Sequence, residues 1–201
     1  MTKTINTNQW KKIKLGDVCN VQTGPFGSQL HQKDYVLDGT PIITVEHLGC
    51  RKISRQKLPC VSDEDVTRLN KYTLIEGDVV FSRVGSVDRA SYVMKEEEGW
   101  LFSGRCLRIR PIDQNVNSMF LYYYFCQDQF KEYVRKISVG ATMPSLNTKI
   151  LSDIIVSIPP LPIQRRIGEI LGSFDAKIEL NRRMNTTLEQ IATALFKSWF
   201  V

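Results

Sequence analysis

The sequence predicts an α+β fold, a mixed-sheet domain over residues 1–160 followed by one long α-helix over residues 161–201. Three observations carry that reading. Short β-like runs broken by Gly and Pro alternate with two helical stretches up to Ile158. Pro159-Pro160-Leu161-Pro162 then closes off what precedes it, because proline lacks the amide hydrogen and disfavours helix in the residue before it. From Ile163 to Val201 there is neither Pro nor a turn cluster, and only Gly168 and Gly172 interrupt good helix formers. A chain of 201 residues holds one such domain with an appendage and is short for two.

The strands are expected at Val18–Thr23, Pro41–Glu46, Asp78–Arg83, Ala90–Lys95, Leu101–Arg110 and Asp153–Ile158. Between them Ser62-Asp63-Glu64-Asp65 has the form of a capping box and opens a short helix to about Lys71. A second helix starts at Asn117 or Ser118. Its Met119, Tyr122, Tyr123, Phe125, Phe130, Tyr133, Val134 and Ile137 recur at three- and four-residue steps, the spacing of core residues on a helix laid against a sheet, not of a base-stacking platform. In the last helix Ile167, Phe174, Leu188 and Leu195 fall in steps of seven. Ile170, Leu171, Ile178, Met184, Ile191 and Trp199 widen that stripe, and Asn181 and Asn185 interrupt it. A rod of this length, roughly 57 Å at about 1.5 Å per residue, is too long to be covered by its own domain, so its stripe needs a partner helix. Asn181 is placed to fix register in such a coiled coil or, equally, to sit on a wetter part of the surface.

Composition excludes more than it names. Hydrophobic residues at 42% and charged residues at 24% set disordered and fibrous classes aside. The polar start from Met1 to Trp10 lacks a secretion signal and no apolar run approaches the roughly 18 residues of a membrane span, so a cytoplasmic protein is expected. Five cysteines (Cys19, Cys50, Cys60, Cys106, Cys126) without a C-x-x-C pair read as thiols buried in the fold. His31 and His47 have no metal-ligand spacing, and no metal is assigned. A net charge of +6 permits a polyanionic partner without demanding one. Nucleophile elbow, phosphate-cradling loop and paired carboxylates in a glycine-rich setting are all missing, and Gly24-Pro25-Phe26-Gly27-Ser28 has the wrong spacing for a phosphate site. The single Pro-Pro lacks the preceding polar acceptor and following aromatic of an amino-methyltransferase.

Several stretches, in this order, resemble the specificity subunits of type I restriction–modification enzymes. They are Gly24–Ser28 with Leu30; Gly39-Thr40-Pro41-Ile42; Glu76-Gly77-Asp78 through Arg83-Val84-Gly85; Gly140-Ala141-Thr142 with Ser145-Leu146-Asn147; Ile158–Gln164; and Asn181-Arg182-Arg183-Met184-Asn185 through Phe196-Lys197-Ser198-Trp199-Phe200. The resemblance implies a target-recognition domain and a long spacer helix, an arrangement that in the family usually occurs twice, with the two helices antiparallel and each domain reading one half of a split double-stranded DNA target. It also implies a chain without catalysis or cofactor of its own. Partner methyltransferase subunits would methylate adenine with S-adenosylmethionine, and motor-nuclease subunits would complete the restricting enzyme. This sequence holds one such unit, either a half-subunit that pairs with itself or the front half of a longer one, and in both cases a homodimer through the helix is expected. The alternatives are the recognition part of a fused methyltransferase or endonuclease, and a helical scaffold whose basic loops are incidental.

The family does not supply the reading residues, so side-chain chemistry must. Arg and Lys match guanine edges, Asn and Gln match adenine, and phosphates take cations and hydroxyls. Polar loops between strands give Gln29, His31 and Lys33; Arg51, Lys52, Arg55 and Lys57, four cations in seven residues; and Arg83, Ser86 and Arg89. The pairing face of the helix is assigned to Ile167, Ile170, Leu171, Phe174, Ile178, Asn181, Leu188, Ile191 and Leu195.

Overall fold

A computed structural model describes residues 10–200 except Cys50, so the expectations placed on the first residues, on Cys50 and on Val201 lie outside the described residues. The chain runs β1 (Lys11–Lys14), α1 (Leu15–Val18), β2 (Cys19–Thr23), β3 (Thr40–Ile43), β4 (Cys60–Val61), α2 (Asp63–Arg68), β5 (Val79–Ser82), β6 (Ala90–Tyr92), β7 (Leu101–Phe102), β8 (Cys106–Pro111), α3 (Ser118–Phe125), α4 (Asp128–Ile137), α5 (Thr148–Ser152), β9 (Ile155–Ile158) and α6 (Leu161–Phe200). The central sheet is antiparallel in the order β2-β8-β5-β6. A smaller sheet, β4-β3-β7, pairs β3 antiparallel to β4 and parallel to β7, and β1 pairs with β9. No helix among the described residues is long and apolar enough to cross a membrane.

Period-two alternation explains why β5 is buried on both faces. Val79 and Phe81 point into one core with α3 and α4, while Val80 points into a second core with Ile42, Ile43, Leu101 and Phe102 of the smaller sheet. β8 follows the same rule: Leu107 and Ile109 enter the first core, Cys106 the second. Arg108, on the second-core side, is only 5% exposed and spends its charge on the Thr73 carbonyl at 3.1 Å and the side chains of Asn20 and Gln22. Arg110 grips the fully buried Asp78 with two hydrogen bonds, 2.7 and 2.6 Å, and Asp78 also accepts from the Ile75 amide.

Three expected elements differ, each for a local reason. The strand expected over Leu101–Arg110 is two strands, because the chain turns at Ser103-Gly104, where the Cys106 amide donates to the Ser103 carbonyl at 2.9 Å. The helix expected to run unbroken to Ile137 divides at Cys126-Gln127, and Gln127 is extended. On one straight helix Phe125 and Phe130 would point roughly 140° apart; the break brings their rings to 4.9 Å and packs both around Phe81. Tyr133 of that stretch is exposed instead of buried. Finally, β3 ends at Ile43 and gives way to a 3₁₀ turn over Val45–His47, in which the His47 ring accepts from the Thr44 amide. Ser62 caps α2 by accepting from the Asp65 amide, as its sequence predicts. Of the described cysteines, Cys19 and Cys106 are buried and Cys60 and Cys126 half-buried, all free thiols.

The long helix is seated at its beginning and bare beyond. Gln164 is 1% exposed: its Oε1 accepts from the Asn117 amide at 2.8 Å, and its Nε2 donates to the carbonyls of Asn115 and Pro159. Gly168 lies against α3, where an added Cβ would come within 3.3 Å of Asn117 and Met119. Ile167 packs on the first core, so this residue belongs to the seat as much as to any pairing face.

Candidate functional site

Of the open depressions on the domain, one of about 650 Å³ gathers residues from five separate segments. Its cations are Lys57, Arg83 and Arg105; its amide and hydroxyl groups come from Gln32, Tyr35, Thr44 and Ser103; Phe26 supplies an exposed ring and Glu46 a single carboxylate.

The local sequence makes this shape. Gly24 and Gly104 bring two backbone segments into contact: a Cβ on Gly24 would lie 2.3 Å from the Ser103 carbonyl oxygen, and one on Gly104 2.4 Å from that of Pro25. Only glycine fits at either position. Arg83 leaves the end of β5 and lies over the Phe26 ring at 5.9 Å while donating to the Gly104 carbonyl at 3.0 Å. Its amide donates to the Arg105 carbonyl and its own carbonyl accepts from the Leu146 amide, both at 2.8 Å. The Gly24–Ser28, Arg83–Gly85 and Ser145–Asn147 stretches thus meet around one arginine. Lys57 has φ of +52°, the one left-handed non-glycine among the described residues, a conformation that costs roughly 1–2 kcal/mol and concentrates at functional sites.

Of the ten residues assigned from sequence to DNA reading, Lys57 and Arg83 line this cleft. His31 and Lys33 stand exposed on the neighbouring 3₁₀ turn, and Ser86 and Arg89 are exposed elsewhere, with the Arg89 stem along Gly49. The remaining four also make contacts within the fold. Gln29 accepts from the Tyr72 hydroxyl at 2.7 Å. Arg55 pairs at 2.9 Å with Glu97, whose side chain is 3% exposed, and lies over Trp100. Arg51 donates to the Gly172 carbonyl at 3.0 Å and stands 4.0 Å from Asp175, while Lys52 stands 3.9 Å from Glu179. The Tyr123 hydroxyl completes this clasp, donating to Asp175 at 2.7 Å. Half of the basic run therefore faces the helix α6. Sequence reading passed over Arg105, Tyr35 and Gln32; the Ser-Gly pair that breaks the strand and turns Arg105 outward was the signal available for the first.

Among the described residues no group of three or more His, Cys, Asp or Glu side chains is arranged to hold a metal ion. Burial pushes the Cys106 thiol, at the floor of the second core, up to about 12, and the Cys19 thiol likewise, so both stay protonated at neutral pH.

The domain thus combines two small cores, a clasped terminal helix and a cationic cleft. Residues 7–190 match the type I restriction modification DNA specificity domain, and the chain belongs to that family. It is similar to the HindI specificity subunit of Haemophilus influenzae, 29% identical over 197 residues, which is 96% of this chain and 41% of that one. The MjaX specificity subunit of Methanocaldococcus jannaschii is also 29% identical, over 95% of this chain and 45% of the relative. The fold is that of the S subunit from M. genitalium, with a TM-score of 0.69 at 15% identity over 100% of this chain and 49% of that one. The Thermoanaerobacter tengcongensis HsdS subunit gives 0.64 at 18% identity over 92% of this chain and 42% of that one. The chain thus spans less than half the length of these relatives.

Proposed function

We propose that this chain is a sequence-specific reader of double-stranded DNA that carries no catalytic step, directing adenine methylation, and restriction where motor-nuclease subunits are present, by partner polypeptides. The cleft is the observation that carries this reading. It joins cations suited to phosphates and guanine edges with amide and hydroxyl groups suited to adenine, beside a ring able to meet a thymine methyl. S-adenosylmethionine belongs to the methyltransferase partner in this scheme. A fused methyltransferase or nuclease is the less favoured reading, because the relatives named above are themselves specificity subunits. The exposed ridge of α6 supports self-pairing into a homodimer, in which two-fold symmetry makes the target a split palindrome.

The test is co-expression with the adenine methyltransferase of the same system, followed by mapping of methylated adenines. A single motif with two separated halves is expected. Arg105→Ala should then weaken binding of DNA carrying that motif and flatten its salt dependence by about one unit of slope if the guanidinium meets phosphate, or relax one base position if it meets a base. Scattered methylation without a motif overturns the reading.

A further inference from the structure

The stretch Gly140-Ala141-Thr142 with Ser145-Leu146-Asn147 does not line the cleft, yet it is built as a rigid finger beside it. Val139 and Ser145 exchange backbone hydrogen bonds of 3.0 and 2.8 Å, and the Ser145 hydroxyl donates to the Val139 carbonyl at 3.1 Å. Gly140 stands at φ of +110°, where an added Cβ would lie 2.6 Å from the Met143 carbonyl oxygen, so glycine closes the turn. The Gly85 amide donates to the Pro144 carbonyl and the Leu146 amide to the Arg83 carbonyl, both at 2.8 Å. The Leu146 side chain anchors the base of the finger in the first core. Through the Val84–Ser145 bridge the finger thereby extends the cleft wall made by Arg83 and Val84.

This finger presents donors and apolar groups and no negative charge. Residues 139–143 are exposed, Val139 by 61% and Met143 by 64%. The amides of Gly140, Ala141, Thr142 and Met143 and the Thr142 hydroxyl have no hydrogen-bond partner among the described residues. From Tyr133 to Ser152 there is neither Asp nor Glu. Lys136 and Lys149, on either side of the finger in the chain, are exposed and make no ion pair among the described residues. Unpartnered donors on a braced turn, without a carboxylate near in sequence, suit an anionic acceptor. A nucleic-acid strand alternates such acceptors with sugars, whose faces suit Val139 and Met143.

We infer that the finger grips the sugar–phosphate backbone of one strand of the target duplex beside the cleft. Its free amides and the Thr142 hydroxyl donate to phosphate oxygens, and Val139 and Met143 lie against neighbouring sugars. This rests on the DNA-reading function proposed above and adds a contact that sets where the reader sits without reading a base. Because these donors are neutral, they add affinity and leave the salt slope alone, since that slope counts phosphates neutralised by cations.

The experiment measures, as a function of salt, how the complex of the full chain with its methyltransferase subunit binds a duplex carrying the methylated motif. The unsubstituted chain is compared with Thr142→Val, Ala141→Asp and Ala141→Lys, and the methylated motif is mapped for each. Thr142→Val should bind on the order of fivefold more weakly at an unchanged salt slope. Ala141→Asp should bind on the order of tenfold more weakly, and Ala141→Lys more tightly at low salt with a slope steeper by about one. The motif should be the same in all four, because phosphates carry no sequence information. A shifted motif in any variant would put bases under the finger and overturn the backbone assignment. Unchanged binding in all three variants overturns the inference and leaves the DNA-reading function standing. Loss of the methyltransferase subunit from the variants on sedimentation also overturns it and gives the finger to that protein. An unsubstituted complex that does not prefer the motif over a random duplex overturns both readings.

Discussion

Lys57 combines two properties that a substitution can separate. Its backbone is held at φ of +52° and the residue lines the cleft. Lys57→Gly should raise stability by about 1 kcal/mol through the relieved backbone, seen as a higher Tm. The same change should weaken DNA binding and lower its salt slope by about one. A loss of stability would show that the ammonium, not the turn, is what the fold needs there. The two buried thiols give a pH prediction. Folded Cys19 and Cys106 sit at about 12, above the roughly 8.5 of an unfolded thiol, so the unfolded chain loses protons first on going alkaline. Their stabilisation is complete below about pH 8.5 and declines as the pH rises toward 12, by up to about 1.4 kcal/mol per unit for each thiol. Urea melts at pH 8 and pH 10.5 measure this, and alkylation of both thiols in the native state at pH 8 would contradict it.

At the scale of elements the clasp between the Arg51 loop, α3 and α6 decides how the helix leaves the domain. Arg51→Ala removes the hydrogen bond to Gly172 and the charge beside Asp175, and Tyr123→Phe removes the remaining partner of that carboxylate. Together they should widen the distribution of distances between spin labels on α2 and near Lys197, while the Gln164 seat keeps the domain folded. An unchanged distribution would mean that the seat alone fixes the angle. This clasp was not legible in the sequence, since Arg51 and Gly172 are 121 residues apart and a basic run looks the same whether it meets DNA or a carboxylate. What was legible is what repeats locally: the seven-residue steps of α6, the Ser62 cap, and strands whose apolar residues alternate. What was not legible depends on meetings across the chain. The fracture of the α3–α4 stretch follows from Phe81, and the outward turn of Arg105 follows from two glycines pressed against distant carbonyls. The cleft is the sum of such meetings, which is why sequence reasoning found Lys57 and Arg83 but passed over Arg105.

For the whole molecule, the proposed homodimer fixes a length. If its helices pair along the exposed stretch from Leu171 to Leu195, the two domains are held roughly 36 Å apart along the helices. One turn of DNA separates half-sites by roughly 34–36 Å. The methylated motif should accordingly have its two halves centred about one turn apart and be palindromic; an asymmetric motif, or halves two turns apart, would contradict this geometry.

The clasp also bears on exchanging readers between relatives. A graft cut at Pro159–Pro162 looks clean in sequence, yet it parts Arg51, Lys52 and Tyr123 from Gly172, Asp175 and Glu179. A chimera joining this reader to a foreign shaft would bind as a loose hinge and tolerate ill-spaced targets, unless those shaft positions travel with it.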